Sequence, residues 1–103
     1  MIEMESEDDV MKHIVFFKLK ERTSENQNKV AEILRKMTPE NCPMVDSLKV
    51  GVDFLNSDRS FDLVLEVVLP KEELNYYANY DFHCAVKKEF APYVEKSVTV
   101  DVE

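Results

Sequence analysis

The sequence predicts an α+β domain of ferredoxin-like β-α-β-β-α-β type, with a four-stranded antiparallel sheet. Three observations carry this. Four segments rich in β-formers alternate with two helical patterns in the order strand, helix, strand, strand, helix, strand. The two middle strands are joined only by the turn-rich "LNSDRS", which returns the chain antiparallel. The length, 103 residues with 45% hydrophobic composition, suits one domain around one core.

Strand one is "HIVFFKLK", about His13 to Lys20, because its residues are strongly β-forming. "TSENQ" follows, with Ser24 as N-cap and Gln27 three residues on as a capping box. Val30, Ile33, Leu34 and Met37 then recur at i, i+3, i+4, i+7, one stripe of an amphipathic helix that ends before Pro39. "SLKVGVDF" alternates as strand two, with Leu48, Val50, Val52 and Phe54 on one face. Its Gly51, the only glycine, marks a bulge or a close backbone contact. In strand three, "FDLVLEVVL", Phe61, Leu63, Leu65, Val67 and Leu69 form an apolar face. Pro70 suits the first position of a helical region from Lys71 to Ala91, with a break expected near Asp81. Pro92 stops that region, and "SVTVDVE" alternates as strand four.

Charge and composition exclude several functions. Net charge is −8, and five of the 21 acids but none of the 13 bases lie in the first ten residues. Residues 1–10 read as an acidic, flexible N-terminal extension. An acidic domain without a basic stripe is a poor grip for phosphate backbones, so nucleic acid is not an expected partner. No apolar run approaches the ~20 residues of a membrane span, and a cytoplasmic protein with reduced thiols is expected. Cys42 beside Pro43 reads as an exposed-loop thiol. His13, His83 and Cys84 lack the close spacing of metal ligands, and no cofactor motif is present.

Strand one is apolar on both sides: His13, Val15, Phe17 and Leu19 on one, Ile14 and Phe16 on the other. Two helices cover only one face of a four-stranded sheet. A second copy of the chain is the economical cover for the other, so a homodimer is expected, with Phe16, Val64, Val68, Val98 and Val100 near the interface.

In order along the chain, "MKHIVFFKLK", the "VG" of strand two, "FDLVLEV", the Y-x5-H of Tyr77 and His83, and the closing "VTVDVE" resemble the stress-responsive A/B barrel (Dabb) domain. The resemblance covers about Met11 to Glu103, and it implies a dimeric α/β barrel of two ferredoxin-like subunits packed sheet to sheet. Many members have a proline before the second-helix histidine, where Asp81 and Phe82 stand here, and many end in Asp-Tyr-Glu, where Val102 replaces the tyrosine. A plant branch includes olivetolic acid cyclase, a cofactor-free polyketide cyclase. That likeness implies His83 as general base, Tyr77 as its assistant, and His13 and Asp101 beside the same pocket, with no cofactor. It also turns Ser97, Thr99 and Asp101 toward the helices, where hydrophobic pattern alone would turn Val98, Val100 and Val102.

The pocket expected from this likeness is walled by Val15, Phe17, Leu48, Val50, Leu63 and Leu65, and suits a small hydrophobic or polyketide-like carbonyl compound. A neutral imidazole can remove a proton next to a carbonyl, and a phenol can hydrogen-bond the enolate oxygen. Six positions are about 600° on a continuous helix, so Tyr77 and His83 converge only if the helix breaks between them; Asp81 is the expected cap of a second segment carrying Phe82, Val86 and Phe90. Against this stands a bland alternative, a stress-response or structural dimer whose His and Tyr only satisfy each other across a filled seam. Tyr76, Tyr80, Phe82 and Phe90 read as core or interface aromatics, and Lys87-Lys88 as a solvated helix face.

Overall fold

A computed structural model describes residues 10–103. The acidic extension expected over 1–10 therefore lies outside the described residues, apart from Val10, which already belongs to the first strand. The elements are β1 (Val10–Leu19), α1 (Ser24–Leu34), β2 (Ser47–Val52), β3 (Leu63–Pro70), α2 (Leu74–Asn79), α3 (Asp81–Phe90) and β4 (Val94–Val102). The sheet order is β2-β3-β1-β4 with every neighbour antiparallel, the ferredoxin-like arrangement. Among the described residues no helix is long and apolar enough to cross a membrane.

The helices lie on the sheet face that carries Met11, Val15, Phe17 and Leu19 of β1 and Leu63, Leu65, Val67 and Leu69 of β3, all buried. Val30, Ile33 and Leu34 of α1 and Val86 of α3 close the core from above. The other face shows Phe16, Val98 and Val100, which are 38%, 47% and 45% exposed in the single chain. Strand one is thus two-faced, as its composition implies. In the β1–β4 ladder His13 stands opposite Asp101 and Val15 opposite Thr99, while Phe16 stands opposite Val98. Ser97, Thr99 and Asp101 therefore share the helix face, and the valines of β4 share the open one.

Several local expectations are corrected. The N-cap of α1 is Thr23, not Ser24: the Asn26 N–H donates to its Oγ1 at 3.1 Å, and Ser24 is the first helical residue. Gln27 is accordingly not a capping-box partner. It is buried, and its amide donates to Asp62 Oδ1 and the Asp53 carbonyl, both at 3.3 Å. Phe61 does not share the face of Leu63, because β3 starts only at Leu63; Lys18 and Lys96 lie over the Phe61 ring instead. Pro70 ends β3 opposite Val10 and precedes a 3₁₀ turn, Lys71–Glu73, rather than opening an α-helix. Cys42 is fully buried, because the segment after α1 folds back through Cys42 N–H to Thr38 carbonyl (2.7 Å) and Val45 N–H to Cys42 carbonyl (2.9 Å). Tyr76 is exposed and stacks edge-on against Tyr80 at 5.5 Å, so it is no core residue. Gly51 sits at a close contact, not a bulge: a Cβ there would come within 2.9 Å of Val64 Cγ1.

Candidate functional site

The second helical region breaks as its Asn and Asp residues imply, but at Tyr80 and without a cap from Asp81. Tyr80 is extended, with φ −67° and ψ 136°, and no side chain caps α3. The Tyr80 N–H closes α2 on the Tyr77 carbonyl at 3.2 Å, and its own carbonyl opens α3 by accepting from the Cys84 N–H at 2.9 Å. Asp81 lies in the first turn of α3, where a carboxylate complements the helix dipole.

One extended residue changes the phase of the two helices. Tyr77 and His83 would stand about 240° apart on an unbroken helix. Here their rings face each other with centroids 4.2 Å apart. The break also frees carbonyls at the end of α2, which need donors from elsewhere. His83 Nδ1 approaches the Ala78 carbonyl at 3.3 Å, and Cys84 Sγ approaches it at 3.7 Å. A carbonyl only accepts, so Nδ1 of His83 carries the proton and Nε2 keeps its lone pair. Burial pushes the His83 pKa down from its ordinary value; the Ala78 bond opposes this, and nearby Lys87 and His13 add to it. The ring is neutral near pH 7.

Tyr77 is 1% exposed. Burial, and then the neighbouring Cys42, push its phenol pKa well up, so it remains a hydrogen-bond donor and not a base. Its hydroxyl donates to Met37 Sδ at 3.8 Å, a weak acceptor. The His13 ring also meets Tyr77, edge-on at 5.6 Å. His13 Nδ1 lies 2.6 Å from Asp101 Oδ1, so the carboxylate orients this ring. The aspartate thus serves His13 and not His83.

His13, Tyr77 and His83 border one cleft of about 310 Å³ between α2, α3, β1 and β4. Asp101 stands behind His13 and is not in its wall. Of the apolar wall expected from the sequence, Val15, Phe17 and Leu65 are present, joined by Met37 and Phe90. Leu48, Val50 and Leu63 are not in it; all three pack into the core away from the cleft. Lys87, Ser97 and Thr99 complete the rim. Lys87 is the one that residue-by-residue reading missed: it stands at i+4 from His83, a spacing that puts both on one helix face.

Asp62 also escaped that reading. It is fully buried, and its carboxylate accepts from the Leu19 N–H (2.8 Å), Arg22 Nε (3.0 and 3.2 Å) and Gln27 Nε2 (3.3 Å). Arg22 in turn donates to the Ser57 and Ser60 carbonyls at 3.1 and 2.9 Å. This network ties β1 and α1 to the loop before β3 and lies apart from the cleft.

Compared with known proteins, the chain matches over residues 11–103 the family described as "Stress responsive A/B Barrel Domain". No curated protein matches it. Similar solved structures include a dimeric, ferredoxin-like protein of unknown function from Bacteroides fragilis, with TM-score 0.75 and 24% identity, covering 92% of this chain and 96% of that one. A Dabb family protein from Mesorhizobium loti has TM-score 0.72 and 17% identity, covering 91% and 95%. A hydroxynitrile lyase from Passiflora edulis has TM-score 0.72 and 20% identity, covering 90% and 91%.

Proposed function

We propose, from the premise that the chain belongs to the stress responsive A/B barrel family, that it is a cytoplasmic homodimer whose subunits each bind a small, mostly apolar carbonyl compound and move a proton beside its carbonyl without a cofactor. One observation carries the reading: the break at Tyr80 stacks Tyr77 on His83 at the edge of an open cleft and leaves Nε2 of His83 free.

In this reading His83 Nε2 takes the proton from the carbon next to the carbonyl, and the C–H electron pair becomes the enolate. The oxygen that gains charge accepts from Tyr77, whose thioether partner is easily given up for a better acceptor. His13, held by Asp101 and in contact with the Tyr77 ring, supplies a second donor–acceptor to the same space. The apolar wall keeps water sparse around the charge as it develops. One protein of similar fold is a hydroxynitrile lyase, which is in keeping with chemistry on a small molecule in this scaffold.

The test is α-proton exchange in D2O, followed by NMR on a small enolisable aryl ketone. Exchange catalysed by the wild type and lost in His83→Gln supports the reading. A second reading, a dimer with no chemistry, is favoured by the burial of the Tyr77 hydroxyl against Met37. It prevails if the wild type exchanges no faster than buffer and His83→Gln only loosens the fold.

A further inference from the structure

The cleft is not uniformly apolar: one cation stands on its rim. Lys87 follows His83 by four residues on α3, and both border the same space. Among the described residues no carboxylate lies within ion-pair distance of Lys87; of the other lysines only Lys12, Lys36 and Lys71 are so matched, and Lys87 is set apart from the rest by bordering this cleft. The acid of the site, Asp101, is held by His13 and stands outside the wall. Val15 and Phe17 of β1 and Phe90 of α3 give the cleft apolar walls, with Ser97 and Thr99 at the β4 side. Lys88, next in sequence, does not border the cleft.

We infer that Lys87 selects the ligand: the compound that fits carries a carboxylate, placed at the rim against Lys87, on an apolar body whose carbonyl lies at His83. This rests on the proposed carbonyl pocket and narrows its occupant to keto acids over neutral ketones. A lysine in the last turn of α3 does favour the helix dipole, but Lys88 supplies that equally from a position outside the cleft. The closeness of Lys87 to His83 agrees with its part in holding the imidazole neutral. A bound carboxylate would cancel that influence.

Two probes with one body separate the charge from the pocket: 3-benzoylpropionate, an anionic aryl ketone, and butyrophenone, its neutral counterpart. Each is titrated into the isotope-labelled, full-length protein, with the imidazole resonances of His83 and His13 as reporters. We expect the acid to bind roughly fivefold more tightly than the ketone, as suits a rim ion pair, and the preference to fade with added salt. Lys87→Met should bring the ratio to about one without weakening butyrophenone, and Lys87→Arg should keep it. Lys87 is exposed, so both variants should fold. If both probes shift the histidines equally, or if Lys87→Met leaves the preference intact, the carboxylate inference is overturned while the pocket stands. If neither probe shifts either histidine, pocket and inference fall together.

Discussion

At the scale of single residues, His83 gives the sharpest pH behaviour. Its folded pKa lies below the ordinary 6.5 through burial first, with Lys87 and His13 adding to it. Below pH 6.5 the unfolded chain therefore binds more protons than the folded one, and stability falls as pH drops through that window. His83→Gln should flatten this part of the profile, measured by urea unfolding at pH 5 and 7. An unchanged slope would show that other groups set it. Asp62 makes a different prediction. Among the described residues it is the only buried carboxylate, and Asp62→Ala leaves Arg22, Gln27 and the Leu19 N–H without it. Loss of about 3–5 kcal/mol in denaturant unfolding is expected, with little change in the cleft. The residues differ in how far the sequence discloses them. Tyr77 and His83 stand out because their types are rare and chemically active. Asp62 is one of 21 acids, and its three donors come from positions up to 43 residues away in the chain, a convergence no local pattern encodes.

At the scale of elements, period and composition disclose which segment is helix or strand, and fine chemistry decides the ends. Thr23 and Ser24 are both good caps, and propensity does not choose between them. The choice falls to Thr23 because Gln27, at the position that would complete a box with Ser24, is drawn inward to Asp62. Thr23→Ala should therefore cost about 1 kcal/mol in thermal or denaturant unfolding, and Ser24→Ala under half of that. Equal losses would mean that the cap is shared. The break between α2 and α3 shows the same division. Its existence is legible in "NYD", yet its position is not, since Tyr80 has no turn preference comparable with those of its neighbours. A shift of one residue would turn His83 by about 100° and dissolve the site. For β4, alternation is legible in the residues, its facing follows from the family resemblance, and hydrophobic pattern alone would have reversed it. Both faces of that strand carry plausible inward residues, and the pairing with β1, which sets Asp101 opposite His13, agrees with the resemblance and not with the valine pattern.

At the scale of the whole molecule, β4 links the site to assembly. It is the edge of the sheet, paired only with β1, and its residues from Glu95 to Val102 are all exposed in the single chain. Ser97 and Thr99 border the cleft and Asp101 orients His13, while Val98, Val100 and Val102 face away beside Phe16. An apolar face of this kind on an unpaired edge strand asks for a cover. A second copy meets it in the proposed dimer, and the Bacteroides fragilis protein of similar fold is itself dimeric. Wild-type protein at micromolar concentration should then scatter light as twice the 12.0 kDa chain. Phe16→Asp places a charge in the middle of the buried face, opposite Val64 and Val98, and should return the mass to one chain. The helix-side core does not include Phe16, so the variant should stay folded by circular dichroism. The same change should reach the cleft. β4 is held by one ladder, and without the partner over its apolar face its amides should exchange faster with solvent than they do in the wild-type dimer. The hydrogen bond between His13 and Asp101 depends on that strand, so the monomeric variant should bind an aryl ketone more weakly although no cleft residue was altered. A monomer with unchanged affinity would separate assembly from the site, and a dimer untouched by Phe16→Asp would place the interface on another surface.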